Sequence, residues 1–345
     1  MSRADVVVVG AGMAGSAAAR SLAGAGREVV LLEQFDFGHR RGSSHGASRI
    51  FRYSYPDPTY VALSMEALGL WRELEDATGR ELVTTTGGLD AGPGLTAQAE
   101  ALGACGAKFE WVAGPEVGER FPALSFPAED TLLFQPDAGI VRAEDALRAF
   151  ITAAEDGGAD VRWNTRVQAL RASGDGVEVD TPEGSVTAEV AVVTAGPWAP
   201  ALLAAAGIDL PAVPTCETVA YFSLADDDLV PSLVDWDDPI FYALASPGQG
   251  LKAGLHHGGP VADPDTEGAP SGATVALLRE AVTRRYPGAA SEPTLVETCF
   301  YTNTDDERFI LERRGPIVVG SACSGHGFKF APLTGRRLAD LALNP

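Results

Sequence analysis

Apolar and polar positions follow several different rhythms along this chain. Val6 to Val9 is an unbroken apolar run with glycines directly behind it, and Ala17-Ala18-Ala19 and Leu22 follow at helical spacing. Val29 to Leu32 is a second apolar run, and it ends at Glu33. Short continuous runs of this kind suit strands buried on both faces, so the N-terminal segment predicts a βαβ unit. Leu63, Ala67, Leu70, Trp71 and Leu74 recur every three or four residues. They predict a helix over residues 60–78, which Gly79 stops. The same spacing predicts helices over 144–154, near 274–285 and at the C-terminus through Leu343. Short strands at 161–163, 166–171, 177–180 and 185–188 are separated by turn residues. Apolar runs at 191–194 and 317–320 read as buried strands that enter glycine-containing turns and then helices. Residues 81–138 and 211–300 mix short strands with Gly-Pro punctuation, the former with two short helices.

Strand–glycine–helix units therefore fall at 6–15, 191–199 and 317–327. The segments between them are more antiparallel in character. This predicts a mixed α/β fold: a discontinuous Rossmann-like nucleotide-binding domain (1–80, 140–207 and 298–345) with an inserted substrate domain (81–139 and 208–297). The inserted domain is expected to be built on a mixed, largely antiparallel sheet.

Composition narrows the function. The 345 residues are 46% hydrophobic and carry a formal charge of −21, with 26 basic against 47 acidic residues. So acidic a body repels nucleic acid and anionic lipid. No apolar run reaches the roughly 20 residues that span a bilayer. Arg3, the apolar run and the small residues behind it imitate a signal peptide, but Asp5 and the early glycines fit a strand and turn better. Cys105, Cys216, Cys299 and Cys323 are scattered without a CxxC, which suggests no metal site and no disulfide framework. A reducing compartment, the cytoplasm, is expected. Only Lys108, Lys252 and Lys329 are lysines. Arginine cannot replace a lysine where a compact, deprotonatable ammonium is needed, so these three merit attention.

Gly10-Ala11-Gly12-Met13-Ala14-Gly15 follows a strand and opens a helix. Gly10 permits the tight turn, Gly12 lets backbone approach a pyrophosphate, and Gly15 allows close packing. Free N–H groups at the helix start attract the anion, and Glu33 is placed for a ribose hydroxyl. No second dinucleotide fingerprint with its own acidic partner occurs, so one FAD reduced by an organic substrate is favoured over NAD. From Phe37 to Pro56 there is no acidic residue, whereas Arg40, Arg41, Arg49 and Arg52 are present. In an anionic chain this predicts a local positive pocket for an anionic substrate or for reduced flavin.

The order GAGMAG, Glu33, GSSHGASRIFR, GLKAGLHH, CFYTNTDDERFI and SGHGFKF resembles the monomeric sarcosine oxidase and N-methyltryptophan oxidase family. These are amine-oxidising flavoproteins of the D-amino-acid-oxidase superfamily. The resemblance implies that Cys299 bonds covalently to the flavin 8α-methyl through sulfur. It implies that Lys252 sits by flavin N5 and promotes reaction with oxygen, where a fixed cation stabilises developing superoxide. Arg52 and Lys329 match the pair that holds the substrate carboxylate and so orients the amine. Arg49 matches an arginine packed near the flavin ring, His256 a histidine near the bound amine, and Tyr242 an active-site tyrosine. His45, Ser44, Val167 and Gly327 are expected against the cofactor, the last at the start of a helix aimed at the ring. Resemblance weakens over 217–250, which includes the run Asp226-Asp227-Asp228, so the lid over the amine is expected to differ.

The leading expectation is a monomeric, FAD-dependent oxidase of a carboxylate-bearing secondary amine that reduces O2 to hydrogen peroxide. The alternatives are a cyclic imino-acid oxidase or dehydrogenase of the same superfamily, and a non-catalytic dinucleotide-binding protein. The last needs only the glycine loop and Glu33, so Lys252, Arg52 and Lys329 argue against it.

Overall fold

The apolar run at the N-terminus becomes the centre of a sheet. In the computed structural model, which describes residues 2–174, 176–224 and 230–344, strand Ser2–Val9 lies parallel between Val29–Leu32 and Gly184–Val193. Asp160–Arg162 and Ile317–Ser321 extend this parallel sheet at its two sides. Ile310–Arg314 then adds an antiparallel strand against Ile317–Ser321. Ala169–Ser173 and Gly176–Thr181 form a meander on the first half of Gly184–Val193. Alternate side chains of Ser2–Val9 enter different cores. Val6 and Val8 pack with Leu22, Ala154 and Leu338 from helices Met13–Gly24, Ala143–Asp156 and Ala331–Leu343. Val7 and Val9 pack on the opposite face with Val179 and Leu203. Coverage on both faces is why the strand reads as a continuous apolar run rather than an alternating one.

The second sheet also has eight strands. Its order is Leu295–Asn303, Val213–Phe222, Gly250–Leu255, Phe241–Ser246, Ser232–Asp235, Gly88–Ala91, Thr131–Gln135 and Glu110–Ala113. Every pairing is antiparallel except that of Ser232–Asp235 with Gly88–Ala91. Helix Gly272–Arg285 covers part of it through Leu278 and Val282. A small sheet of Ser48–Phe51, Gly139–Arg142 and Val83–Thr85 carries the arginine-rich segment. The long helix is Pro58–Thr78; the Asp57 side chain accepts the Thr59 N–H at its start, and Gly79 ends it at φ +65°.

Three expectations change in detail. Residues 185–188 and 191–194 are one strand, Gly184–Val193, not two. Exposed Glu189 breaks the apolar run, but the backbone ladder to Ser2–Val9 continues on both sides of it. The expected boundary at residue 298 falls inside Leu295–Asn303, whose ladder partner is Val213–Phe222 of the second sheet. At Gly327 the chain makes a short 3-10 turn, Phe328–Phe330, before helix Ala331–Leu343 begins. The Asp226-Asp227-Asp228 run lies outside the described residues. Among the described residues no helix is long and apolar enough to cross a membrane.

Candidate active site

A cavity of about 1430 Å³ lies between the two sheets and is lined by both. The glycine loop forms one end. Gly10 adopts φ +97°, and a Cβ on Gly15 would collide with the Gly10 carbonyl oxygen and with Thr194 Oγ1. Gly15 itself is absent from the wall; it lets the helix start pack beneath the loop. Glu33 is buried, and its Oε2 accepts the Ala11 N–H at 2.9 Å while Oε1 accepts the Phe35 N–H at 3.1 Å. Burial raises its pKa, against these bonds. Helix Met13–Gly24 has no side chain capping it from Gly12, although Ser44 Oγ accepts the Met13 N–H at 3.0 Å.

The arginine-rich segment forms the middle of the cavity. Arg49 donates to the carbonyls of Ser43, His45 and Ser48 and lies 5.3 Å from the Phe328 ring, with no carboxylate in ion-pair range among the described residues. Lys252 is 4% exposed, with Nζ 3.5 Å from the Ser48 carbonyl. Burial, reinforced by Arg49, lowers its pKa to about 7. Cys299 is 7% exposed; burial pushes its thiol up, and Arg49 and Lys252 pull it back. Burial holds His45 down at about 3, and neither ring nitrogen makes a well-formed hydrogen bond.

A second cationic pair stands further along. Lys329 is 4% exposed and donates to Tyr55 Oη at 2.7 Å and to the His326 carbonyl at 3.0 Å. The Arg52 guanidinium lies 4.4 Å from the same Tyr55 ring and 5.2 Å from that of Trp236. Burial, with the Arg52 charge next, holds the Lys329 pKa well below its usual value. His256 packs on His257 with ring centroids 3.9 Å apart, and burial lowers it to about 4. His257 bonds Glu307 at 2.9 Å and is raised by that contact. The Tyr242 hydroxyl pairs with Tyr301.

Apart from Gly15, every residue expected at the site lines this one cavity: Gly10, Gly12, Glu33, Ser44, His45, Arg49, Arg52, Val167, Tyr242, Lys252, His256, Cys299, Gly327 and Lys329. Lys108, the third lysine, is exposed and lies away from it. Sequence reasoning missed Tyr55, Trp236 and the Asp90 network behind them. Asp90 is 1% exposed and accepts from Ser54 Oγ at 2.6 Å, Gln135 Nε2 at 2.6 Å and Trp236 Nε1 at 2.9 Å. Arg52 in turn donates to Ser54 Oγ at 3.1 Å. Polar residues flanking an apolar strand carry no local signal of such a network.

These walls fit FAD. Beyond the Met13 N–H that Ser44 accepts, the start of helix Met13–Gly24 presents N–H groups at the loop where a pyrophosphate would need donors. His45 is buried and lacks a well-formed bond, so it sits ready for a polar group. Among the described residues neither Arg49 nor Lys252 has a carboxylate in ion-pair range, and their charges suit an electron-rich ring. Fold and cavity together define a dinucleotide-binding flavoprotein oxidoreductase. The chain belongs to the FAD dependent oxidoreductase family, which it matches over residues 5–341. It is 35% identical to monomeric sarcosine oxidase from Bacillus sp. (strain B-0618), over 98% of this chain and 92% of that one. It is 28% identical to N-methyl-L-tryptophan oxidase from Yersinia pestis (strain Pestoides F), over 98% and 94%. Its fold is similar to that of NikD, an amino acid oxidase essential for nikkomycin biosynthesis, at TM-score 0.91 and 28% identity, covering 100% of this chain and 95% of that one.

Proposed function

We propose that this chain oxidises a secondary amine that bears a carboxylate, such as sarcosine or another N-methyl amino acid, and reduces O2 to hydrogen peroxide. The observation that carries this reading is the pair Arg52 and Lys329. Two cations converge on Tyr55 in a largely buried cavity, and among the described residues neither has a carboxylate in ion-pair range. A substrate carboxylate supplies the missing charge, and two fixed donors hold the amine end in one orientation. Sarcosine oxidases and N-methyltryptophan oxidase among the relatives act on amines of this class.

When bound, FAD supplies the two-electron oxidation of the carbon–nitrogen bond and returns the electrons to dioxygen. The chain's own residues bind, orient and polarise. The glycine loop and helix start hold the pyrophosphate, and Glu33 fixes that loop and reaches the ribose. Ser44, His45, Val167 and Gly327 would contact the cofactor, and Cys299 would hold it covalently through sulfur. Arg52 and Lys329 take the carboxylate, with Tyr55 bridging them. His256 is neutral at pH 7 because its pKa is near 4, so it can accept a hydrogen bond from the amine. Tyr242 closes that side. Lys252 and Arg49 place positive charge where dioxygen becomes negative. The glycine loop and Glu33 come from the first sheet, Cys299, Lys252 and Tyr242 from the second, so both sheets build the site. The four cysteines are free, which suits the cytoplasm, and a monomer acting on small molecules needs no partner chain.

Oxygen uptake with a panel of N-methyl and cyclic amino acids, each beside its decarboxylated analogue, tests the proposal. Uptake with stoichiometric peroxide is expected only from carboxylated amines. Uptake that ignores the carboxylate, or none despite bound flavin, would overturn it. Trp236 and Tyr55 give the site two flat aromatic walls, which favours cyclic amino acids as the second reading.

A further inference from the structure

We propose that Glu217 is the base that takes the thiol proton of Cys299 when flavin is attached, an inference that rests on the covalent reading above. Glu217 on Val213–Phe222 is directly opposite Cys299 on Leu295–Asn303. Directly opposed residues of an antiparallel pair project from the same face, with Cβ atoms about 5 Å apart. The same face carries Tyr221, whose ladder partner is Lys252. Glu217 is 1% exposed. Its Oε1 accepts from Thr215 Oγ1 at 2.5 Å, and Thr215 Oγ1 accepts from Asn303 Nδ2 at 2.9 Å. Its Oε2 is buried with no hydrogen-bond partner. A buried carboxylate oxygen left unpaired is costly, and the thiol S–H of the opposed Cys299 is a donor that can meet it. Among the described residues the other acid on this face, Glu297, is bound to Arg40 at 2.6 Å.

The chemistry needs this base. Sulfur attacks as the thiolate, but burial resists ionisation of Cys299. Arg49 and Lys252 favour the thiolate, whereas the Glu217 charge opposes it. Proton transfer from Sγ to Oε2 removes that opposition as the thiolate forms, and the pair keeps one negative charge throughout. In the whole step, the S–H bond and one C–H bond of the 8α-methyl break and the S–C bond forms. The two electrons released reduce the isoalloxazine. Both hydrogens pass to that ring, the thiol proton by way of Glu217. Dioxygen then reoxidises it, giving hydrogen peroxide.

The test uses full-length apoprotein from riboflavin-limited cells, mixed with FAD in air. Covalent attachment is read as flavin fluorescence of the denatured protein and as intact mass, with Cys299→Ala as the zero. Glu217→Gln should attach flavin roughly a hundredfold more slowly, the scale of a lost general base. It should bind FAD non-covalently as tightly as wild type, and Glu217→Asp should recover part of the rate. Wild-type attachment by Glu217→Gln would overturn the assignment. So would slowing matched by an equal loss of FAD affinity in both variants, which would mark Glu217 as structural. Absence of covalent flavin in the wild type is a separate outcome, which would overturn the covalent reading and this inference with it.

Discussion

A lysine cut off from water holds its proton weakly, and this chain buries two of its three in one cavity. Lys252 is the sharper test, because its pKa of about 7 reflects burial beside Arg49. If its charge stabilises reduced oxygen, Lys252→Met should slow flavin reoxidation roughly a hundredfold or more, the scale of a lost electrostatic donor. Reduction by substrate should change much less, and stopped flow separates the two half-reactions. Equal slowing of both would remove the oxygen role. Arg52→Ala should raise KM for carboxylated amines roughly tenfold to a hundredfold, the scale of a lost charge-assisted bond; an unchanged KM would mean the carboxylate binds elsewhere. Asp90→Asn should raise the same KM by a smaller factor. It removes the charge and turns one of the two acceptor oxygens that hold Ser54 and Trp236 around Arg52 into a donor. Lys252 and Lys329 were legible in the sequence because lysine is so scarce. Tyr55 was not, since its position under both cations comes with the contact of His326 with a loop tyrosine more than 200 residues earlier in the chain.

At the scale of elements, local rules revealed the parts whose backbone is unusual. The glycine loop was readable because a tight turn and a close helix approach demand glycine at fixed spacing. Pairing between distant strands was not readable. Residues from 298 onward were expected in the nucleotide-binding domain, yet the ladder of Leu295–Asn303 joins it to Val213–Phe222, and nothing local in sequence records a partner. The loop at 258–272 is another such case. Its composition announced only a turn-rich connection, but Asp265 ties it across to the first sheet's side. Asp265 accepts from Trp198 Nε1 at 2.7 Å and from Arg166 Nη2 at 2.6 Å, and Arg41 donates to the Pro264 carbonyl at 3.1 Å. Asp263, Pro264 and Asp265 also line the cavity. The loop therefore straps the cofactor groove. In a Cys299→Ala background, where only non-covalent contacts remain, Asp265→Ala should speed FAD release severalfold. Release at the unsubstituted rate would mean that the strap bears on the protein alone.

Across the whole molecule, the acidic excess of a body of formal charge −21 stops at the cavity, which is lined by seven basic and seven acidic side chains. Its buried histidines make the protein acid-labile. His39, His45, His256 and His326 all have pKa values lowered chiefly by burial, to about 3, 4 and 3 for the last three, and only His257 is raised. The unfolded chain protonates these rings near their ordinary 6.5, whereas the folded chain keeps them neutral. Between about pH 6.5 and pH 4 the unfolded state thus binds more protons, and stability must fall as pH falls. Glu75, Glu307 and Asp265, with depressed values, lose stability in the same direction at the lower end. Glu33 and Asp90, raised by burial, oppose it but are fewer. The unfolding midpoint of the holoenzyme should decline steadily from pH 6.5 to pH 4.5, and calorimetry at pH 5.5 in two buffers of different ionisation enthalpy should report uptake of about three protons on unfolding. A midpoint that stays level across that range would show that these rings are charged in the folded protein, and the neutral acceptor assigned to His256 would fall with it.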